Sequence, residues 1–128
     1  MTRLRATNRD RQAEVAGHVR VAGRWWERVQ GLLGQRPLGR GEGLLITPCR
    51  GVHTCGLRHP IDVAFLSADY RVVALYPDLT PWRITSVHRA ALVALELPAG
   101  TLAASNTHLG DRFILEPLRD SGRRLLIP

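Results

Sequence analysis

The sequence predicts a small, mainly β domain of sandwich, jelly-roll or barrel type, with one amphipathic helix in its N-terminal half and a short second helical turn. Three observations lead there. Short apolar or alternating runs recur along the chain, separated by Gly, Pro, Asn and Asp, as in proteins of many short strands. One segment, residues 22–33, carries a helical period instead. Finally, 128 residues with 45% hydrophobic and 23% charged content suit one globular domain, residues 1–128, with a core of its own. A mixed α+β arrangement is the alternative.

The elements follow in chain order. Residues 15–21 place Val15, Gly17, Val19 and Val21 on one side and His18 and Arg20 on the other, the alternation of a half-buried strand. Ala22, Trp25, Trp26, Val29, Leu32 and Leu33 then repeat every three or four residues, so residues 22–33 read as an amphipathic helix with the Trp pair anchored in the core. Gly34 stops it and Pro37 follows. Residues 39–43, Gly-Arg-Gly-Glu-Gly, form a turn and not a phosphate loop, because no Gly-Lys-Ser/Thr follows. Residues 44–47 and 52–57 are strand candidates, with a turn at 58–60. Residues 61–66 form a strand apolar on both faces, and 67–71 a hairpin into the strand 72–76. Residues 77–82 read as a loop because of their two prolines, and 91–97 as a strand stopped by Pro98. Residues 100–105 make one helical turn with Thr101 as its cap. A turn at 109–111 leads into the strand 112–116, and 125–127 add an edge strand or fray. Gly34, Gly100, Gly110 and Asp111 are the turn positions of structural importance.

The charge balance is strongly basic: 18 Lys+Arg, all of them Arg, against 11 Asp+Glu give +7 at pH 7. Arg3, Arg5, Arg9 and Arg11 crowd a basic N-terminal arm, residues 1–12, and Arg123 and Arg124 lie in a C-terminal tail, residues 117–128. Such arms attract nucleic-acid phosphates or anionic membranes. The remaining arginines are scattered singly, and no interleaving of aromatic and basic residues suggests single-strand binding, so nucleic acid is an alternative partner and not the favoured one. The basic start has no apolar stretch of a secretory signal, no run approaches the ~18 apolar residues of a membrane span, and two cysteines make no disulfide framework. A cytoplasmic, reduced protein is the expectation.

Reactive side chains concentrate between Cys49 and Asp62, and three readings compete. Cys49, His53, Cys55 and His59 are good zinc-ligand types, although their spacing matches no established zinc motif. Cys55 or Thr54 could serve as nucleophile, with His53 or His59 as base and Asp62 as the orienting group. The structural reading starts from Asp62, which lies inside an apolar strand and must find a partner there. Arg58, His53, His59 and backbone amides are the candidates.

The same stretch resembles a known family, the bacterial and archaeal domain-of-unknown-function 192 family. The resemblance rests on residues 28–34 (Arg-Val-Gln-Gly-Leu-Leu-Gly), on 41–45 (Gly-Glu-Gly-Leu-Leu), and on 52–66, similar to the family's His-Thr-x-x-Met-Arg-x-x-Ile-Asp-Val-x-Phe-Leu block. It continues through 93–101 (Val-Ala-Leu-Glu-Leu-Pro-Ala-Gly-Thr) and Gly110-Asp111, covering about residues 15–116. Leu57 stands where the family usually has Met, a volume-conserving change. Tyr70 stands where the hairpin usually has Gly, so the turn is expected to spare Tyr70 a positive φ or to give that place to Asp69. The resemblance implies a compact β fold and no known reaction. It marks His53, Asp62, Glu96, Leu97, Pro98, Gly100, Gly110 and Asp111 as the shared positions. Glu96 alternates outward from Val93, Leu95 and Leu97.

A binding or accessory module is therefore expected, with a polar pocket formed by His53, Arg58 and Asp62 and with Glu96 as a fourth member. Arg58 would attract a small anionic ligand and His53 would lend pH sensitivity; a protein partner is the other option. No cofactor is expected. Zinc binding, Cys/His-based hydrolysis and nucleic-acid binding are the alternatives, and no catalytic motif is recognisable.

Overall fold

The structure is a computed structural model, and it describes residues 3–118. The elements are β1 (Arg3–Asn8), β2 (Ala13–Ala22), α1 (Trp25–Gln30), β3 (Glu42–Ile46), β4 (Ile61–Leu66), β5 (Val72–Leu79), β6 (Val93–Pro98), α2 (Thr101–Ala104) and β7 (Phe113–Pro117). The expected edge strand at 125–127 and the arginines at 123 and 124 lie outside the described residues.

All strands join one seven-stranded sheet in the order β5-β4-β6-β3-β2-β1-β7. Among the described residues its one parallel pair is β2–β3, because the stretch through α1 is long enough to carry the chain back over the sheet. The sheet curls until its two ends meet at one corner: Val72 N–H donates to Asp111 O at 2.8 Å and Phe113 N–H to Tyr70 O at 2.9 Å, beside a bridge between Arg71 and Arg112. The result is a half-barrel, not two stacked sheets.

Curling gives the sheet two apolar layers. Ala64, Leu66, Val93, Leu95, Leu97, Val19 and Phe113 fill the inside. Ile61, Val63, Phe65, Leu44, Ile46 and Ala94 face outward, where Leu32, Leu38, Val52 and Leu57 from the loops cover them. β4 is consequently buried on both faces, which its unbroken apolar sequence anticipates.

Several expectations are corrected. Of the expected mainly β forms, sandwich, jelly roll or barrel, the chain takes a curled half-barrel, and the amphipathic helix expected over 22–33 is only the six-residue α1, Trp25–Gln30. Gly31 ends it at φ +52 and ψ −122, a conformation open essentially to glycine alone, three residues before the expected stop at Gly34. The side chains of Trp25 and Trp26, the expected core anchors, and of Val29 lie outside what the structure describes. Residues 52–57 form a loop with one bridge, His53 to Ile84, and not a strand. β5 continues through Pro77 to Leu79 because it is an edge strand, where a missing N–H is tolerated. The basic arm contains β1, paired with both β2 and β7. Its sequence alternates, with Ala6 and Asn8 buried and Arg3 and Arg5 exposed. Thr101 is not the cap of α2: Gly100 occupies that position, and the Thr101 hydroxyl donates to Pro98 O at 2.7 Å. Tyr70 does adopt a positive φ, +64, and its ring packs against the inner core.

Candidate functional site

The polar residues singled out in the sequence divide between the two faces of the sheet. Asp62 points inward with Ala64 and Leu66. Its Oδ1 accepts the Asp78 amide at 2.7 Å and its Oδ2 accepts the Leu102 amide at 2.8 Å. The first amide is set free where β5 bulges between its pairings with Ile61 and Val63, and the second belongs to the first turn of α2. Asp62 is thus answered by backbone amides and not by Arg58 or a histidine. A second inward carboxylate, Asp111, accepts from Asn8 Nδ2 at 3.0 Å, Arg11 Nε at 2.9 Å and the His108 amide at 2.8 Å. Burial pushes its carboxyl up, but the Arg11, Asn8 and His108 hydrogen bonds outweigh that and hold it at about 2.

Glu96 lies on the other face, and only 4% of it is exposed. Strand alternation does aim it outward, but that face is roofed by loops. Its Oε1 has no hydrogen-bond partner among the described residues, and burial pushes its carboxyl up to about 7. It borders a recess of about 70 Å³ that is also lined by Arg28, Cys49 and His53. The Gly31 backbone closes over it: a Cβ on Gly31 would stand 4.0 Å from Glu96 Oε1. The Cys49 thiol donates to Gly51 O at 3.1 Å, and burial pushes its pKa up, so it is a weak nucleophile.

A cleft of about 780 Å³ adjoins the recess, with Leu32 and Leu57 forming walls of both. Leu38, Pro60, Ile61 and Pro98 make it apolar, and Arg36, Arg58 and His59 bring charge and hydrogen-bonding groups to it. Arg36 is occupied by a bidentate pairing with Glu42 at 3.0 and 2.7 Å. Arg58 and His59 have no hydrogen-bond or ion-pair partner among the described residues.

His53 and Glu96 therefore share the recess, Arg58 and His59 stand in the neighbouring cleft, and Asp62 belongs to the interior. Thr54 is fully buried, and its hydroxyl donates to Thr80 O at 2.7 Å while accepting from Arg83 N at 2.8 Å, which pins loop 52–57 to loop 80–85. No group of three or more His, Cys, Asp or Glu among the described residues is placed to hold a metal ion. Nor is any helix among them long and apolar enough to cross a membrane. Sequence reasoning missed Arg28, on α1, and Gly31, whose backbone ends α1 early, as walls of the recess. The signal was the pair Gln30-Gly31, read as helix interior.

The family model of DUF192, described as "Uncharacterized ACR", matches residues 6–115. The chain belongs to that family. This DUF192 protein matches no curated protein. Among solved structures it is similar to a protein of unknown function from Novosphingobium aromaticivorans, with TM-score 0.71 and 20% identity over 88% of this chain and 83% of that one. A Sinorhizobium meliloti protein, whose description proposes a transcription regulator, gives TM-score 0.72 and 24% identity over 89% and 92%. A hypothetical protein from Synechocystis gives TM-score 0.55 and 12% identity, over 91% of this chain and 19% of that one. At these identities the likenesses establish the fold. In the DUF192 chain the His53–Leu66 stretch supplies both a wall of the recess and the doubly buried strand β4.

Proposed function

We propose that this DUF192 protein is a binding module for a small anionic ligand with an apolar body, held in the cleft between loops 32–38 and 56–61. One observation carries the reading: an apolar cleft of ligand size is lined by Arg58, whose guanidinium no carboxylate among the described residues neutralises. Pockets of 300–1,000 Å³ with apolar walls and few polar groups are the usual form of small-molecule sites. Arg58 would pair with a carboxylate or phosphate in two parallel hydrogen bonds, and His59 would add a donor beside it. Leu32, Leu38, Leu57 and Ile61 would bury the ligand's apolar part.

The recess behind Leu57 adds selectivity. Burial pushes the Glu96 carboxyl up to about 7, so protonated it can donate to a ligand oxygen and ionised it can accept from a ligand N–H or O–H. Its free oxygen is the kind of buried polar atom that an incoming group satisfies. His53, also lining the recess, supplies a second hydrogen-bonding group.

The test is a thermal-shift and calorimetric comparison of aliphatic and aromatic carboxylates against wild type and Arg58→Gln. Saturable binding to wild type, weakened about tenfold or more in the variant, supports the assignment. Equal binding to both proteins, or none to wild type, rejects it.

A further inference from the structure

The loop 80–89 exposes three large apolar side chains together: Trp82 is 72% exposed, Ile84 78% and Val87 72%. Isolated exposed apolar residues are ordinary. Three within six residues of one loop, none of them packed in either core layer, are not. The loop is not slack. It is bonded to loop 50–54 by Thr54 N to Arg83 O at 2.8 Å, Trp82 N to Thr54 O at 3.1 Å, Thr85 N to Val52 O at 3.0 Å and His88 N to Arg50 O at 2.8 Å. Trp82, Arg83 and Ile84 are all exposed, and the chain turns inward only at the buried Thr85.

The backbone adds a second observation. Trp82 and Tyr70 both sit at φ +64, a costly conformation for a bulky aromatic residue. Tyr70 recovers the cost by packing its ring on the inner core. Trp82 holds its ring in water, so no burial within the protein compensates it.

Charge selects the occupant. The stretches 49–60 and 79–92, bonded to each other as above, contain no Asp or Glu. Arg50, Arg83 and Arg89 are exposed on them, and none is ion-paired to a carboxylate among the described residues. Arg50 donates to Ala91 O at 3.0 Å and Arg83 to Thr80 Oγ1 at 3.3 Å, contacts that leave their charge intact. An exposed Trp and aliphatic residues, with unneutralised arginines on the same pair of bonded loops, match the interface of an anionic bilayer: the apolar groups enter the acyl boundary and the arginines meet the headgroups. Nucleic acid would satisfy the arginines and could stack on Trp82, but would leave Ile84 and Val87 against phosphate and water.

We infer that the 80–89 loop is a peripheral docking surface for an anionic lipid membrane, with Trp82, Ile84 and Val87 inserting and Arg50, Arg83 and Arg89 contacting headgroups. This is independent of the cleft's ligand. The test is co-sedimentation of the full chain with vesicles of phosphatidylglycerol and phosphatidylcholine in equal parts, at physiological salt. A Trp82→Ser/Ile84→Ser/Val87→Ser variant and an Arg50→Gln/Arg83→Gln/Arg89→Gln variant are compared, each first shown by circular dichroism to melt as wild type does. The expected result is binding that falls at least tenfold in both variants and is absent on pure phosphatidylcholine. Undiminished binding by the serine variant would overturn the inference, because it would reduce the interaction to attraction by the overall +7 charge. Failure of wild type to bind would overturn it too, as would tighter, loop-dependent binding to single-stranded DNA than to vesicles.

Discussion

The Asp62 carboxylate reaches from β4 to the Leu102 amide, 2.8 Å away, and so caps α2 from a distance of forty residues in sequence. Its other oxygen takes the Asp78 amide freed by the bulge in β5. One fully buried side chain therefore joins the edge strand β5, its neighbour β4 and the short helix.

Replacing Asp62 by Ala leaves two backbone N–H groups without acceptors in the interior, each at ~1–3 kcal/mol. Urea denaturation should show a loss of ~2–5 kcal/mol. Asp62→Asn, which keeps one acceptor oxygen, should fall between the two proteins. A loss below ~1 kcal/mol for the alanine variant would show that the carboxylate does not organise this junction.

Glu96 should set part of the pH dependence of stability. Its carboxyl titrates at about 7 in the folded chain against 4.5 unfolded, so the folded state holds the extra proton. Stability from this group is complete below pH 4.5 and declines as pH rises through about 7. Glu96→Gln removes the decline and should be more stable than wild type above pH 7 by up to ~3 kcal/mol, at 1.36 kcal/mol per unit. Thermal melts from pH 4.5 to 8 check this; parallel curves for the two proteins would count against a buried, protonated Glu96.

Asp111 works in the opposite direction. Its carboxyl is held at about 2 in the folded chain, below its ordinary 3.8, so its contribution is present above pH 3.8 and lost as pH falls through about 2. Asp111→Asn should destabilise the protein at pH 7, by ~2 kcal/mol given the buried hydrogen bonds disturbed, and the gap from wild type should narrow in acid. A gap that stays constant down to pH 2 would contradict the assignment.

Gly56 sits at φ +91, and a Cβ there would come within 2.7 Å of Leu33 Cδ2. Gly56→Ala should cost ~1–3 kcal/mol through backbone strain and overlap. It should also loosen the wall shared by cleft and recess, read as faster amide exchange at Leu57. Unchanged exchange would separate Gly56 from the site.

The sequence displayed its strands well, because alternation survives in β2 and β6 and the doubly buried β4 is an unbroken apolar run. It displayed the layering poorly. Glu96 was legible as outward-facing, yet outward here means beneath a roof of loops, and nothing in Val-Ala-Leu-Glu-Leu reports that roof. Asp62 was legible as a buried carboxylate in need of partners, but amides forty and sixteen residues away cannot be found from local pattern. The arm at Arg3–Asn8 was hidden by its charge: arginines on the exposed face of a paired strand look the same as arginines on a tail. The helical period of 22–33 outran the helix, because a single positive-φ glycine at 31 outweighs the apolar spacing beyond it.

The binding claim is tested most directly by ¹⁵N chemical-shift mapping of the full chain titrated with octanoate and phenylacetate. The expected result is saturable shifts concentrated at Leu32, Leu38, Leu57, Arg58 and Ile61, abolished or greatly reduced by Arg58→Gln. Shifts scattered over Arg5, Arg9 and Arg40, or no saturable shifts at all, would contradict it.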